Sequence, residues 1–150
     1  MTMNLDQQLL QAASQGDLSA VNEALTQGAD INAREEFGDT ALNLAADSGH
    51  LDVVERLLEA GADLENLGGA DLTPLMNASF SGNVKVVEVL LSRGARISHD
   101  LLSSLQMKVN ILQENAEAGM VNPEAAQAWQ GFLDFMVEAW QEQNPSEEEL

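Results

Sequence analysis

Cysteine and tyrosine are absent from this chain, and basic residues are scarce. Without cysteine there is no disulfide scaffold, thiol nucleophile, thiolate zinc site or redox couple. The absence leaves the compartment open, because a cysteine-free chain is stable in either redox environment. Aromatics make up 4% of the residues, so the core has to be built mainly from Leu, Val and Ala. Only 6 Lys and Arg stand against 25 Asp and Glu, for a formal charge of -19. The imbalance runs through the whole chain: residues 1–99 carry 15 acids and 5 bases, and residues 100–150 carry 10 acids and 1 base. A field of that sign repels nucleic-acid phosphates and anionic lipid, so neither is expected as a partner, while a basic protein is favoured. The same acidity also serves solubility.

No run of apolar residues is long enough to span a bilayer. The N-terminal Met1-Thr2-Met3-Asn4-Leu5-Asp6 has neither the basic start nor the apolar core of a secretory signal, which points to a cytoplasmic protein. What the chain does have is apolar content, 45% over 150 residues, enough for one domain or a short array of units.

Shifted by 33 residues, the sequence lands on itself. Leu9, Leu42 and Leu75 align, as do Ala12, Ala45 and Ala78, and then Gly16, Gly49 and Gly82. Val21, Val54 and Val87 follow, then Leu25, Leu58 and Leu91, and the register closes on Gly28, Gly61 and Gly94 with Ala29, Ala62 and Ala95. Each unit reads as two short helices. In the second, Thr40 opens a helix with Leu42, Leu44, Ala45 and Ala46 on its apolar side, and Gly49 ends it. A second helix carries Leu51, Val53, Val54, Leu57 and Leu58, and Gly61 closes it. The stretch Ala62-Asp63-Leu64-Glu65-Asn66 is read as extended. In the third unit Thr73-Pro74 marks a helix start. The small paired alanines let first helices approach closely, and stacking of several units builds a core that one unit cannot.

The stretch Gly38-Asp39-Thr40-Ala41-Leu42 through Gly61-Ala62-Asp63 resembles an ankyrin repeat along nearly its whole length, and Leu72-Thr73-Pro74-Leu75 through Gly94-Ala95-Arg96-Ile97 is similar. Leu9 to Asn32 resembles an N-terminal capping repeat, with polar Gln and Ser on its solvent side. The resemblance covers about residues 5–99 and implies an all-α solenoid of stacked helix-turn-helix units joined by short hairpin loops. Two departures stand out. Asn77 takes the place of Leu44, and Asp71-Leu72 takes the place of Gly38-Asp39, so the third hairpin need not make the usual turn.

After Ile97 the register fails. Asp100 is read as the cap of a helix with Leu101, Leu105, Leu112 and Ala116 on one side and Leu102, Val109 and Ile111 nearby, ending at Gly119. Asn122-Pro123 starts a final helix whose stripe is Trp129, Phe132, Leu133, Met136, Val137 and Trp140. The expected organisation is a single domain over 1–141: a cap repeat over about 5–36, repeats over about 37–69 and 70–99, and a divergent helical cap over about 100–141. An acidic tail over 142–150 is expected to be disordered. The two tryptophans are expected to cover the end of the stack, with a partner site or dimer contact as the sharper alternative.

Catalytic and metal-binding patterns are lacking. His50 and His99 fit no metal spacing, and neither a phosphate loop nor GxSxG occurs, so no enzyme, metal or cofactor is expected. Asp30 and Asp63 belong to the repeat and not to a calcium loop. His50 sits where ankyrin repeats often carry histidine, which implies local hydrogen bonding.

The resemblance implies binding of another protein through hairpin tips and the exposed side of each first helix. In the second repeat these positions fall on Arg34, Glu36, Phe37, Asp39, Asn43, Asp47 and Ser48. In the third they fall on Leu67, Gly69, Ala70, Leu72, Met76, Phe80 and Ser81, and in the first on Ser14 and Gln15. Phe37, Leu67, Leu72, Met76 and Phe80 are apolar where the fold does not need it, and Glu35, Glu36, Asp39 and Asp47 surround them. An apolar centre with a charged rim is the anatomy of a protein interface. The expected protein is thus a monomeric, non-catalytic binder of a basic partner, with an inhibitory or bacterial self-protection role by analogy. A structural protein that self-associates through its C-terminal helices is the alternative.

Overall fold

The computed structural model describes residues 2–145 and is all-α. The helices are α1 Leu5–Gln15, α2 Leu18–Thr26, α3 Ala41–Ser48, α4 Leu51–Glu59, α5 Pro74–Phe80, α6 Val84–Ser92, α7 His99–Glu117 and α8 Pro123–Gln143. They fall into two compact units that divide between Ala95 and Arg96.

The first unit holds three helical pairs, α1–α2, α3–α4 and α5–α6. The first helices stack in the order α1, α3, α5 and the second helices in the order α2, α4, α6. The 33-residue register explains the stack. Leu9, Leu42 and Leu75, Ala12, Ala45 and Ala78, and Val21, Val54 and Val87 are all buried. Each fully buried Leu or Val contributes about 1.5–3 kcal/mol of transfer free energy, which a lone pair of helices could not collect. Local chemistry starts each first helix. The Asn4 carboxamide accepts from Gln7 N and the Thr40 hydroxyl from Asn43 N, each answered by a side chain reaching back. Thr73 caps α5, with Pro74 at its first position.

Histidine 50 does more than bond locally. Its Nε2 lies 3.1 Å from the Ser14 carbonyl of the preceding repeat, and since a carbonyl only accepts, Nε2 carries the proton. The ring covers Gly16, where a Cβ would come within 2.5 Å of it and where φ is +73°. One repeat later Asn83 does the same work. Its amide donates to the Ala46 and Asp47 carbonyls at 3.0 and 2.9 Å, across Gly49. These glycines are therefore set by a close approach as well as by helix termination.

The segment read as extended contains a turn at Leu64-Glu65, held by Asp63 Oδ1 accepting Glu65 N at 3.0 Å; Asp30 accepts Asn32 N likewise at 2.9 Å. At the third equivalent position stands Arg96, which cannot make this turn. The chain passes instead through Ile97 to Ser98 and into α7.

In the second unit α7 packs against α8. The cap of α7 is Ser98, whose hydroxyl accepts from Leu101 N at 3.1 Å; Asp100, expected to cap, lies in the first turn. The buried side of α7 is Leu101, Leu105 and Val109, a strict four-residue spacing. Leu112 and Ala116, expected on that side, are half-buried, and Ile111 is exposed. Asn122 and Pro123 start α8 as expected, and Ala126, Phe132, Leu133 and Met136 are its buried residues. Both tryptophans are half-buried. Lys108 Nζ lies 3.6 Å from the centre of the Trp129 ring, which also meets Phe132 edge-on, and His99 stands 6.3 Å from Trp140. Burial holds the Lys108 ammonium below the ordinary lysine pKa. Helix α8 reaches Gln143, two residues into the segment read as tail, and Gln143 Oε1 accepts Ile97 N at 3.0 Å. Residues 146–150 of that tail lie outside the described residues.

Candidate protein-interaction surface

The hairpin before α3 is closed by Glu35 N donating to Asp39 O at 2.9 Å and Gly38 N donating to Glu35 O at 3.0 Å. The Glu35 carboxylate folds into its own turn and accepts from Phe37 N at 2.8 Å and Asp39 N at 3.0 Å. With the backbone so occupied, the Phe37 side chain is thrown outward and is 80% exposed.

The hairpin before α5 keeps the closing bond, Gly68 N to Leu72 O at 2.8 Å, but not the turn. One turn of 3₁₀ helix spans Gly69–Asp71, with Ala70 and Asp71 both left-handed at φ 57° and 58°. Such a conformation costs non-glycine residues roughly 1–2 kcal/mol each and persists only when the surroundings impose it. Here the second repeat imposes it. Asp39 Oδ1 accepts Gly69 N at 2.7 Å, and the Asn43 amide donates to Leu72 O at 3.1 Å. The Arg34 guanidinium donates to Gly38 O, to Leu67 O and to Asn66 Oδ1. A Cβ at Gly68 would run into the Asp39 carboxylate. Leu67 stands next to this clamp and is 48% exposed.

These contacts sort the expected site residues. Phe37 and Leu67 are the exposed apolar groups, with exposed Glu36 beside Phe37; Ser48 and Ser81 are exposed at the ends of the first helices. Asp47 is exposed and accepts the Ser81 hydroxyl at 2.6 Å, tying the two repeats at that edge. Leu72, Met76 and Phe80 are half-buried. Arg34 and Asp39 are engaged in holding the third hairpin. Asn43, expected on the exposed side of α3, is corrected: it is 1% exposed, and its amide also donates to Asn77 Oδ1 at 2.9 Å. Asn77 is therefore the satisfied partner of a buried polar pair, which accounts for its departure from Leu44. Asp71, Asn66 and Gly68 were missed as parts of this surface, although Gly69 was expected there; the adjoining glycines were the available signal.

Of the surface depressions, one between α1 and α2 is lined by Gln8, Gln11, Ala12, Gln15, Ala20 and Glu23, and one in the second unit by Gln113, Ala116, Glu117, Pro123, Ala126, Gln127 and Gln130. Neither joins a nucleophile to a base. No helix among the described residues is long and apolar enough to cross a membrane.

A family model of ankyrin repeats, in three copies, matches residues 9–100. The chain belongs to the ankyrin-repeat family. Ankyrin repeats generally mediate protein–protein interaction and are a non-enzymatic module. The chain is also similar to two proteins of Rickettsia felis that are described as ankyrin repeat proteins, each 51% identical over 40 residues. That stretch is 27% of this chain and 64% and 61% of the relatives, so less than two thirds of either relative's length is matched. The ankyrin array accounts for the 33-residue register, and α7 and α8 lie almost wholly beyond the matched segment.

Proposed function

We propose that this ankyrin-repeat protein binds a basic protein partner through the hairpin tips and first-helix edge of its second and third repeats, and that occluding the partner's surface is its output. The observation that carries this reading is the pair of exposed apolar side chains, Phe37 and Leu67, carried on two hairpins fixed to each other by the Arg34–Asp39–Asn43 clamp. A rigid aromatic anchor loses little entropy on docking, and a preorganised loop loses less still. The acids Glu36, Asp47 and Asp71 favour a basic partner and speed its approach. The similarity to Rickettsia proteins supports a bacterial setting, in which an inhibitory or self-protective role fits a compact acidic binder.

The test is an affinity capture from the native organism with the wild-type chain and with Phe37→Ala/Leu67→Ala. The expected outcome is one enriched protein that is lost with the double variant. Its undiminished return would place the contact surface elsewhere.

Self-association through the C-terminal helices is a second reading, favoured by the exposed Met107, Ile111 and Met120 of the second unit. A monomeric mass by light scattering at high protein concentration would remove it.

A further inference from the structure

On the hairpin face of the second and third repeats, acids and apolar groups fall mainly into two adjoining stripes, with Asp71 and Phe37 as the exceptions at the hairpin tips. The second repeat supplies Glu35, Glu36 and Asp39 on its hairpin and Asp47 near the end of α3. From Leu72 to Val87 the chain has no acid at all, and this stretch supplies Leu72, Met76 and Phe80. The stripes are neighbours because Asn43 and Asp47 bond directly to Leu72 O and to the Ser81 hydroxyl. Phe37 and Leu67 stand at the hairpin end of the seam.

The sorting extends through the repeats: residues 1–71 hold 14 acids and only 2 bases, Arg34 and Arg56. Among the described residues neither is ion-paired to the acidic stripe, which stays in excess over Arg34 by three charges. Arg34 donates to carbonyl and carboxamide oxygens, and Arg56 Nε donates to Asn22 Oδ1 at 2.6 Å. The negative field at the seam is therefore available to a ligand.

Resting on the reading of this face as the partner site, we propose that its occupant is an amphipathic cationic helix of another protein. It lies along the seam with Lys or Arg side chains over Glu36 and Asp47 and aliphatic or aromatic ones over Phe37, Leu67 and Met76. The periodicities of the two regular structures decide between them. A helix places successive residues about 100° apart, so a basic and an apolar stripe can adjoin and both face one surface. A strand places successive residues on opposite sides, so a strand alternating in character would turn one of its two sets away from the surface.

The probes are three fluorescein-labelled peptides of identical composition, about four helical turns long and built from Lys, Leu, Ala and Gln. One carries Lys and Leu in adjoining helical stripes, one scatters them around the helix, and one alternates them as a strand would. Fluorescence anisotropy against the full chain is expected to rank the striped peptide about tenfold or more above the other two. Glu36→Lys should weaken it by a similar factor, and its affinity should fall as salt rises. Met76→Glu should weaken it too, and circular dichroism melting checks that both variants stay folded.

Equal binding of all three peptides, lost with Glu36→Lys, would overturn the helix while leaving a basic partner at this site. Binding that ignores both substitutions, or no binding by any peptide, would overturn the proposal outright; the Phe37→Ala/Leu67→Ala capture would then decide separately whether the face binds anything. A self-association abolished by Phe37→Ala would make a second copy the occupant and also overturn it.

Discussion

Ser79 occupies the place that Ala13 and Ala46 hold in the first two repeats, and like them it is fully buried. Its hydroxyl has no hydrogen-bond partner among the described residues, so folding strips it of water without compensation. Ser79→Ala should therefore stabilise the protein, by about 1 kcal/mol given the usual cost of an unsatisfied buried group. In urea unfolding this would appear as a higher midpoint at unchanged slope; a lower midpoint would mean that the hydroxyl is satisfied in solution. The contrast with Asn43 is instructive. That side chain is as deeply buried, yet it accepts from Thr40 and donates to Leu72 O and Asn77. The identities at Leu9, Leu42 and Leu75 made the core readable from sequence because a repeat states its own alignment three times. Asn43 was misread because its burial depends on Asn77 and on a carbonyl 29 residues away, neither of which recurs in the register.

Among the elements, the third hairpin is the one whose shape comes from outside itself. Left-handed Ala70 and Asp71 would relax if the second repeat let go. Asp39→Ala removes the acceptor of Gly69 N, and hydrogen exchange should then quicken at residues 66–72 while α1 and α2 keep their protection. Uniform loss of protection along the first unit would show instead that Asp39 supports the stack as a whole. In the opposite direction, Ala70→Gly should raise the thermal midpoint, because the strain relieved, about 1–2 kcal/mol, exceeds the added entropy cost of glycine, about 0.5–1 kcal/mol. The sequence signalled that this hairpin differs, through Asp71-Leu72 replacing Gly38-Asp39, but not how. A clamp made of Arg34, Asp39 and Asn43 is tertiary information: each residue type is ordinary for its own loop, and only the 33-residue stacking brings it to the next one. The start of α7 was misplaced by two residues for a simpler reason. Ser98 and Asp100 are both good caps, and only the observed bond from Leu101 N separates them.

For the molecule as a whole the governing quantity is charge. A formal -19 on 150 residues opposes compaction by self-repulsion. Raising ionic strength from about 0.01 M to 0.15 M shortens the screening length from roughly 30 Å to 8 Å. The thermal midpoint should rise over that range by about 3 °C, the shift that roughly 1 kcal/mol produces in a chain of this size. A midpoint that falls with salt would mean that attractive pairs such as Lys85–Glu88, 3.4 Å apart and exposed, outweigh the repulsion.

The bond from Asn43 to Asn77 has a consequence for how such an array can change its length. The residues one register earlier are Leu10 and Leu44, so the joint between the second and third repeats has no counterpart between the first and second. Repeats joined by identical seams behave like beads, and duplication of any one lengthens the string at little penalty. These behave like keyed blocks. A tandem copy of residues 37–69 would set Leu44 against Asn43 and leave a buried amide facing a hydrocarbon side chain, at about 1–3 kcal/mol for the lost partner. The number of repeats in this chain is thereby locked at one of its own joints, and growth there requires a second change to arrive with the first.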